Sequence, residues 1–322
     1  MSAAVTPGKK FSFADFHAKY GTITIFAVIF VLSAFFVPNF IRYTNLMNVV
    51  RQMVVVTLLA FGVTFVIIIG HIDVSLGSVL ALCGCVAAWT MKETNSVPIA
   101  VGAGLLVGLV SGTINGLIIT QFGIPAFIMT LAMTTVARGS VLIFTGGRPI
   151  TNLGNFEEIG NGDIPGTRIP YSIIILALFL FVSWVLLNKT KYGRYVYAVG
   201  GNQQAAIASG INANKVVRSS FLYNGLLCGL AGVVLMSRMD SGQPAAGIGY
   251  EFDAITAVVV GGTSLAGGRG TIVGTFIGSI IIAVINNDLN LLNVHSYWQQ
   301  VAKGLIILVA VILDVYTKRT RN

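Results

Sequence analysis

Long apolar runs alternate with short polar segments over the whole chain, and most of these runs are long enough to cross a lipid bilayer. A helix that spans a bilayer needs about 20 mostly apolar residues. The pattern therefore predicts ten membrane spans, at residues 22–38, 48–69, 74–92, 97–120, 125–145, 170–188, 215–236, 251–262, 271–286 and 298–316. The fold class that follows is an all-α integral membrane protein, with one membrane domain over residues 1–322.

Two features of this pattern depart from straight crossings. The run at 251–262 is too short to cross a bilayer as one straight helix. Only residues 70–73 separate the run at 48–69 from the run at 74–92. Because unpaired backbone is tolerated at membrane depth only away from lipid, we expect a turn at this point, or a break that lines a cavity.

The composition supports a membrane protein. Of the 322 residues, 55% are hydrophobic and only 10% are charged, whereas about 25% of the residues of a typical soluble domain are charged. A chain with so few charges cannot cover a globular surface with polar groups. The net charge of +9 comes from Lys and Arg in short loops between apolar runs, so we expect contact with lipid and no binding to nucleic acid.

The basic residues lie mainly on one side of the predicted bundle. A tail at about 1–21 and a loop at about 188–214 carry Lys and Arg, and that loop contains no Asp or Glu. The opposite loop, at about 146–170, carries three acidic residues. The positive-inside rule therefore places both termini and the 188–214 loop in the cytoplasm of a multi-pass membrane protein.

Polar side chains within the apolar runs are candidates for function, because such groups are costly in a bilayer. These residues are Asp73, Asn115, Arg138, Asn224, Glu251, Asp253, Asn286, Asn287 and Lys303. We take four of them as candidates for the substrate pathway, because carboxylates and amides hydrogen-bond polar solutes: Asp73, Asn115, Asn224 and Asn286. Hydrogen bonding between helices is the more common role of such residues, and it stays open for each of them.

Glycines recur at short, regular spacings in three of the predicted spans. They are Gly102, Gly104, Gly108, Gly112 and Gly116, then Gly225, Gly229 and Gly232, and finally Gly270, Gly274 and Gly278. Small residues four apart let helix backbones approach closely, so we expect tight packing between these helices. The glycine-bearing stretches 70–77 and 261–268 each follow an apolar run, and we take their weak similarity as a hypothesis of an inverted repeat.

The sequence shows no catalytic arrangement. The three histidines are scattered, the three cysteines lie in apolar runs, and neither set predicts a metal site. The glycines at 262–268 resemble part of a phosphate-binding loop, but the Lys-Ser/Thr ending of such a loop is missing. We therefore expect no cofactor, no metal and no enzyme activity, and any ATP hydrolysis belongs to another chain.

Four segments together carry a resemblance to a known family. Residues 193–206 read GRYVYAVGGNQQAA and are followed by SGIN at 209–212, while 249–268 read GYEFDAITAVVVGGTSLAGG. Residues 72–77 read IDVSLG, and 286–292 read NNDLNLL. These segments resemble the carbohydrate-uptake class of ABC-transporter permeases, which carry ribose, galactose, arabinose and xylose, and the ribose-transporting members are the most similar.

The resemblance implies a location in the bacterial inner membrane, a set of partners and a coupling element. Such permeases pair as two membrane subunits with an ATPase that carries two nucleotide-binding domains, and with a periplasmic or surface sugar-binding protein. A short docking helix for the ATPase would be formed by Gly201, Asn202, Ala205, Ala206 and Gly210. Gln203 stands where the family usually has Glu, and His71 where it usually has Gly. These departures leave open how strong the docking is and which sugar is carried.

Two other functions are compatible with parts of the pattern. A secondary transporter coupled to protons or sodium would use broken helices and an intramembrane acid such as Asp73. A membrane scaffold that only binds partners would need neither broken spans nor intramembrane polar groups. The interpretation that follows from the resemblance is the permease subunit of an ATP-driven importer of a monosaccharide, a ribose-like pentose or a related sugar, working beside a second permease subunit.

Overall fold

The computed structural model describes residues 13–167 and 169–319. Within these ranges the chain forms thirteen α-helices and one short 3-10 turn at Gly154–Glu157. The helices are α1 (Phe13–Phe36), α2 (Tyr43–Ile68), α3 (Leu76–Thr94), α4 (Val97–Phe122), α5 (Ala126–Thr145), α6 (Glu158–Asn161), α7 (Tyr171–Lys189), α8 (Lys191–Gly201), α9 (Gln203–Ala208), α10 (Ala213–Arg238), α11 (Tyr250–Val260), α12 (Ile272–Leu291) and α13 (Ser296–Arg319). The predicted all-α fold is confirmed.

Six of the described helices are long and apolar enough to cross a membrane, namely α2, α4, α5, α7, α10 and α12. The remaining predicted runs correspond to α1, α3, α11 and α13, so the prediction of about ten spans holds as an approximate number. Helix α11 has 11 residues and is about 16 Å long, roughly half of a hydrocarbon core. It is therefore a half-helix, as its short apolar run predicted.

Three predicted boundaries need correction. Helix α1 begins at Phe13, so the second part of the predicted tail at 1–21 is helical, while residues 1–12 lie outside the described part of the chain. The predicted loop at 146–170 contains the 3-10 turn and α6. The predicted loop at 188–214 is largely helical, because α8 and α9 occupy most of it.

Helix α2 forms the centre of the molecule. Every residue from Met53 to Ile68 is buried, and α2 packs against α7, α10, α11 and α12. The sequence of this segment is apolar on all sides, which is typical of a helix that is surrounded by other helices. Among the described residues, the centre of the subunit is therefore occupied by a buried helix that packs against other helices.

The two ends of the helix bundle can be told apart by the contacts of α10. This helix begins at Ala213, directly after α9, and ends at Arg238, whose guanidinium donates to the Arg51 carbonyl oxygen. Its 26 residues span about 39 Å. We call the end that carries α8 and α9 the coupling face. The end that carries residues 146–170 is the loop face, where Arg51 forms a 2.7 Å ion pair with Asp163.

The predicted glycine contacts join α4 to α10. A Cβ atom on Gly108 would collide with the Gly225 carbonyl oxygen, and a Cβ atom on Gly225 would collide with the Gly108 carbonyl oxygen. Gly112 faces the Phe221 carbonyl oxygen in the same way. Gly102 is the exception, because a Cβ atom there would meet nothing within 4 Å. The tight packing predicted from the spacing is therefore present along most of α4.

Two irregular segments interrupt the bundle. Residues 69–75 follow the buried helix α2, and residues 239–249 follow the buried helix α10. A Cβ atom on Gly77 would collide with the Gly247 carbonyl oxygen, so the 239–249 segment is in direct backbone contact with the first turn of α3. In both places a long buried helix is followed by an irregular segment and then by a shorter helix.

The inverted repeat predicted from 70–77 and 261–268 stays a hypothesis. In the fold, 69–75 lies between α2 and α3, and 261–268 follows α11. Residues 261–268 pack beside the end of α2, where the Gly268 amide donates to the Ile68 carbonyl oxygen over 2.8 Å. Both stretches contain glycines that adopt positive φ in turns, such as Gly70 at 82° and Gly262 at 88°.

Candidate functional site

Asp73 lies in the break between α2 and α3, and its side chain organises the start of α3. Oδ1 of Asp73 accepts from the Ser75 amide at 2.8 Å and from the Ser75 hydroxyl at 2.6 Å. Asp73 is 2% exposed. A buried carboxylate needs hydrogen-bond donors, and the residue that follows two positions later supplies two of them.

Helix α5 satisfies the backbone of the same break. The Thr134 hydroxyl donates to the Val74 carbonyl oxygen at 3.0 Å, and the Thr130 hydroxyl lies 3.4 Å from the Ile72 carbonyl oxygen. The Gly70 amide donates back to the Ile67 carbonyl oxygen at 2.9 Å. Irregular backbone at this depth is therefore paired within the protein, as the cost of unpaired polar groups requires.

Three of the four predicted pathway residues meet around Asp73. The Asn224 side-chain amide donates to Oδ2 of Asp73 at 2.8 Å, and the Asn115 amide lies 3.4 Å from the Ser75 hydroxyl. The cavity between these side chains measures about 10 Å³, which is room for about one water molecule. The three residues thus form a closed polar cluster that holds α4, α10 and the break together, and a sugar does not fit there in this conformation.

The fourth residue, Asn286, lies in a second polar cluster that is separate from Asp73. Its side-chain amide is 3.3 Å from Oδ2 of Asp253, and the Lys303 ammonium forms a 2.8 Å ion pair with the same oxygen. The cluster borders a pocket of about 160 Å³ that is also lined by Gln52 and Gln299. The sequence identified Asp253, Asn286 and Lys303 as intramembrane polar groups but gave no sign that they meet, and it missed the two glutamines.

Arg138 is a further polar residue with a defined position. Its guanidinium donates to the carbonyl oxygens of Pro244 and Ala246, the latter at 3.1 Å, and lies 3.4 Å from the Gly77 carbonyl oxygen. One side chain of α5 therefore contacts both the 239–249 segment and the first turn of α3, at the point where they meet. The planar fork of Arg suits several carbonyl oxygens at once.

The predicted docking segment is two helices and not one. Gly201 is the last residue of α8, and Asn202 caps α9, its Oδ1 accepting from the Ala205 amide at 2.9 Å. Gly210 follows α9 with a φ of 83°, a conformation that favours glycine. The single short helix predicted from the alanines is therefore preceded by a second helix of 11 residues. The sequence did not predict this helix, because the glycines at 193, 200 and 201 lower its helix propensity.

The two alanines of the docking segment have different surroundings. Ala205 is exposed at the coupling face, whereas Ala206 is 4% exposed and belongs to the core. Ala205 can therefore contact another protein, and Ala206 anchors α9 to its own subunit.

Helix α8 is joined to the central helix by close backbone contacts. A Cβ atom on Gly200 would collide with the Ile68 carbonyl oxygen at the end of α2. The Tyr197 hydroxyl donates to the Gly270 carbonyl oxygen at 2.7 Å, which ties α8 to the turn before α12. Any displacement of α8 would therefore act on the end of α2, five residues before Asp73.

The matching family model is described as "Branched-chain amino acid transport system / permease component" and covers residues 45–311, more than half of the chain. The chain is 46% identical over 284 residues to the ribose import permease protein RbsC of Haemophilus influenzae, with 87% of each chain covered. It is 45% identical over 312 residues to RbsC of Bacillus subtilis, with 96% of each covered.

A third relative carries another sugar in its name. The chain is 37% identical over 322 residues to the L-arabinose transport system permease protein AraH of Escherichia coli, with 100% of this chain and 98% of the relative covered. No solved structure gives a significant match. These relatives are permease components of transport systems, so the prediction that the chain has no enzyme activity is confirmed, and the ion-coupled alternative is not favoured.

Proposed function

The chain belongs to the branched-chain amino acid transport system / permease component family, and from this membership we propose that it is the membrane-spanning subunit of an ATP-driven importer of a monosaccharide. The observation that carries the proposal is the similarity to two ribose import permeases at 46% and 45% identity over most of the chain. A relative named for L-arabinose is 37% identical over the full chain. The substrate that these names favour is a pentose of the ribose type.

ATP would act on this subunit through α8 and α9. The exposed Ala205, together with Gly201, Asn202 and the turn at Gly210, would contact a separate ATPase on the coupling face. Movement of α8 would be passed to Ile68 and to the turn at Gly270 through the contacts described above. A transport cycle needs a packed element with two alternative arrangements, and the end of α2 with its break is placed to be that element.

The filled axis of the subunit supports a pathway shared with a second permease subunit. Within the described part of the chain, helix α2 occupies the centre, and the cavity at Asp73 measures about 10 Å³, too small for a sugar to pass. A second copy or a related chain would complete the pathway. A periplasmic or surface sugar-binding protein would deliver substrate to the loop face, with both termini of the permease in the cytoplasm.

The test is sugar uptake into proteoliposomes that contain this chain, its ATPase and its binding protein. We expect uptake of D-ribose that requires enclosed ATP and is lost in Ala205→Glu, because a charge would disturb the small docking surface. Ala205→Ser, which keeps a small uncharged side chain at the same position, is the matched control. Uptake that ignores ATP and follows a proton or sodium gradient would overturn the proposal and direct attention to Asp73.

A further inference from the structure

A polar pocket of about 160 Å³ lies between α2, α11, α12 and α13. Its polar lining includes Gln52, Arg238, Asp253, Asn286, Gln299 and Lys303. The apolar part of the lining includes Met53, Val56 and Ile282. Most ligand pockets for drug-sized molecules measure about 300–1,000 Å³, so this pocket suits a smaller solute.

The pocket lies in the half of the subunit next to the loop face. Gln52 is adjacent in sequence to Arg51, which pairs with Asp163 at that face. Arg238, at the end of α10, also lines the pocket. The end of α2 that contacts α8 is 16 residues beyond Gln52, about 24 Å away along the helix. A solute that arrives from the loop face therefore reaches this pocket before the Asp73 cluster.

The chemistry of the pocket is a set of hydrogen-bond groups around a neutralised ion pair. Oδ2 of Asp253 accepts from the Lys303 ammonium at 2.8 Å, and the Asn286 amide lies 3.3 Å away. The Gln299 amide donates to Asn290 Oδ1 at 3.0 Å. An ammonium carries three donors and each amide carries two donors and one acceptor, so this network has donors and acceptors beyond the bonds it forms internally.

The half-helix α11 explains why charged groups occur at this depth. Asp253 lies in the first turn of α11, where the partial positive charge of the helix N-terminus stabilises a carboxylate. Irregular backbone precedes α11 at 239–249, and such backbone occurs in membranes where it is buried in protein or lines a water-filled cavity. Broken helices that end at the substrate are a general feature of transporters.

We propose that this pocket binds a neutral polyhydroxylated solute of the size of one pentose. Hydroxyl groups both donate and accept, so neighbouring hydroxyls of a sugar match the alternating ammonium, carboxylate and amide groups. Asp253 is the one carboxylate in the described lining, and it is already paired with Lys303. A zwitterionic amino acid therefore fits less well, because its ammonium would have to displace Lys303. The choice of a pentose rests on the proposed function, whereas the pocket itself rests on its geometry.

The experiment uses cysteine accessibility in right-side-out vesicles that carry the assembled transporter without its binding protein. The three native cysteines are free and buried, so introduced thiols dominate the labelling by a membrane-impermeant methanethiosulfonate. Asn286→Cys and Gln299→Cys report on the pocket. Thr151→Cys, exposed on the loop face away from the pocket, gives the reference rate, and the ratio of rates between positions is the measured quantity.

We expect D-ribose to slow labelling of the two pocket cysteines relative to Thr151→Cys, by about threefold at a concentration of twice the dissociation constant. Labelling that D-ribose leaves unchanged at both positions overturns the proposal, and so does a pocket that the reagent does not reach. Protection by L-leucine in place of D-ribose overturns the assigned solute class.

ATP-driven uptake by the unmodified transporter, measured in parallel, separates the two proposals. Uptake without protection of the pocket cysteines overturns the binding site alone. Protection without ATP-driven uptake supports the site and overturns the proposed function.

Discussion

The side-chain amide of Asn224 donates a 2.8 Å hydrogen bond to Oδ2 of Asp73, 151 residues earlier in the chain. The bond joins the middle of α10 to the break after α2, and both residues are 2% exposed. A Cβ atom on Gly62 of α2 would lie 2.5 Å from Oδ1 of Asn224, so the absence of a side chain at Gly62 makes room for this amide. The hydrogen bond between Asn224 and Asp73 therefore fixes the packing of α10 against α2 and the break that follows α2.

Replacing Asn224 by leucine is expected to destabilise the protein. The change leaves Oδ2 of Asp73 without the donor that it has in the described structure, and an unsatisfied buried acceptor costs about 1–3 kcal/mol. The measurement is denaturant unfolding of the purified protein in detergent. Asn188→Leu is the control, since that amide is exposed and bonds only to the Trp184 carbonyl oxygen among the described contacts. Equal unfolding midpoints for the two variants would contradict the expectation.

The glycines of α4 allow a comparison within one helix. Gly108→Ala is expected to lower stability by about 1–3 kcal/mol, because the added methyl group would collide with the Gly225 backbone and the helices would have to separate. Gly102→Ala places the same methyl group in open space and should be neutral, or stabilising by about 0.5–1 kcal/mol. Thermal unfolding in detergent distinguishes the two variants, and a Gly102→Ala that destabilises as much as Gly108→Ala would refute the contact.

Two adjacent glycines test how α8 is connected to α2. Gly200→Ala would push α8 away from the Ile68 carbonyl oxygen, whereas a methyl group on Gly201 meets nothing within 4 Å. Mutation of a residue between two coupled sites changes the coupling free energy by about 0.5–2 kcal/mol. Gly200→Ala is therefore expected to reduce the sugar transported per ATP by roughly 2- to 30-fold. The ratio of uptake to ATP hydrolysis in proteoliposomes is the readout.

Gly201 lies at the proposed docking surface, but its added methyl group would meet no atom of this subunit within 4 Å, so Gly201→Ala should lower the ratio less than Gly200→Ala. A ratio that is unchanged in Gly200→Ala, in a transporter that assembles normally, would show that force does not pass through this contact. A fall in both variants would instead indicate that the whole end of α8 touches the ATPase.

Arg138 is expected to resist replacement by lysine. The guanidinium reaches the carbonyl oxygens of Pro244, Ala246 and Gly77 together, and a single ammonium cannot match that fork. Loss of one or two charged hydrogen bonds costs about 1.5–3 kcal/mol each, and uptake should fall as the 239–249 segment separates from the first turn of α3. Arg148→Lys makes the same replacement at an exposed site in the 146–170 loop and is the control. Comparable unfolding and uptake in both variants would show that Arg138 does not hold the 239–249 segment against α3.

The features that the sequence predicted are those that depend on local pattern. The interruption of apolar residues at 70–73 predicted a break, and the helices end and begin at Ile68 and Leu76. The four-residue spacing of glycines predicted close packing of helices, because spacing alone places small residues on one helix face, but it did not predict that α4 and α10 would be the two that meet. The length of the apolar run at 251–262 predicted that it would not cross a bilayer as one straight helix.

The features that the sequence did not predict depend on packing between distant segments. Asp253 and Lys303 are 50 residues apart, and their contact requires the crossing of α11 and α13, which no local pattern encodes. Helix α8 contains three glycines, each of which lowers helix propensity, yet burial of Val196 and Val199 stabilises the helix. The sequence does not distinguish Ala206 from Ala205, and only the fold shows that Ala206 is buried and Ala205 is exposed.

The ion pair between Lys303 and Asp253 allows the strongest test of charge at membrane depth. The Asp253 side chain is 5% exposed and the Lys303 side chain 31%, whereas the Arg51–Asp163 pair at the loop face is 24% and 39% exposed. Breaking a buried pair by removal of one partner costs about 3–5 kcal/mol, because the remaining charge is left uncompensated. An exposed pair contributes only about 0.2–1 kcal/mol.

Lys303→Met is therefore expected to destabilise the protein far more than Arg51→Met, and the double variant Lys303→Met with Asp253→Asn should recover most of the loss, since it removes both charges. Denaturant unfolding of the four proteins of each cycle gives the coupling free energy of each pair. A double variant that is as unstable as Lys303→Met alone would show that the lysine acts by packing and not by charge. The pocket would then lack the neutralised carboxylate on which its match to hydroxyl groups depends.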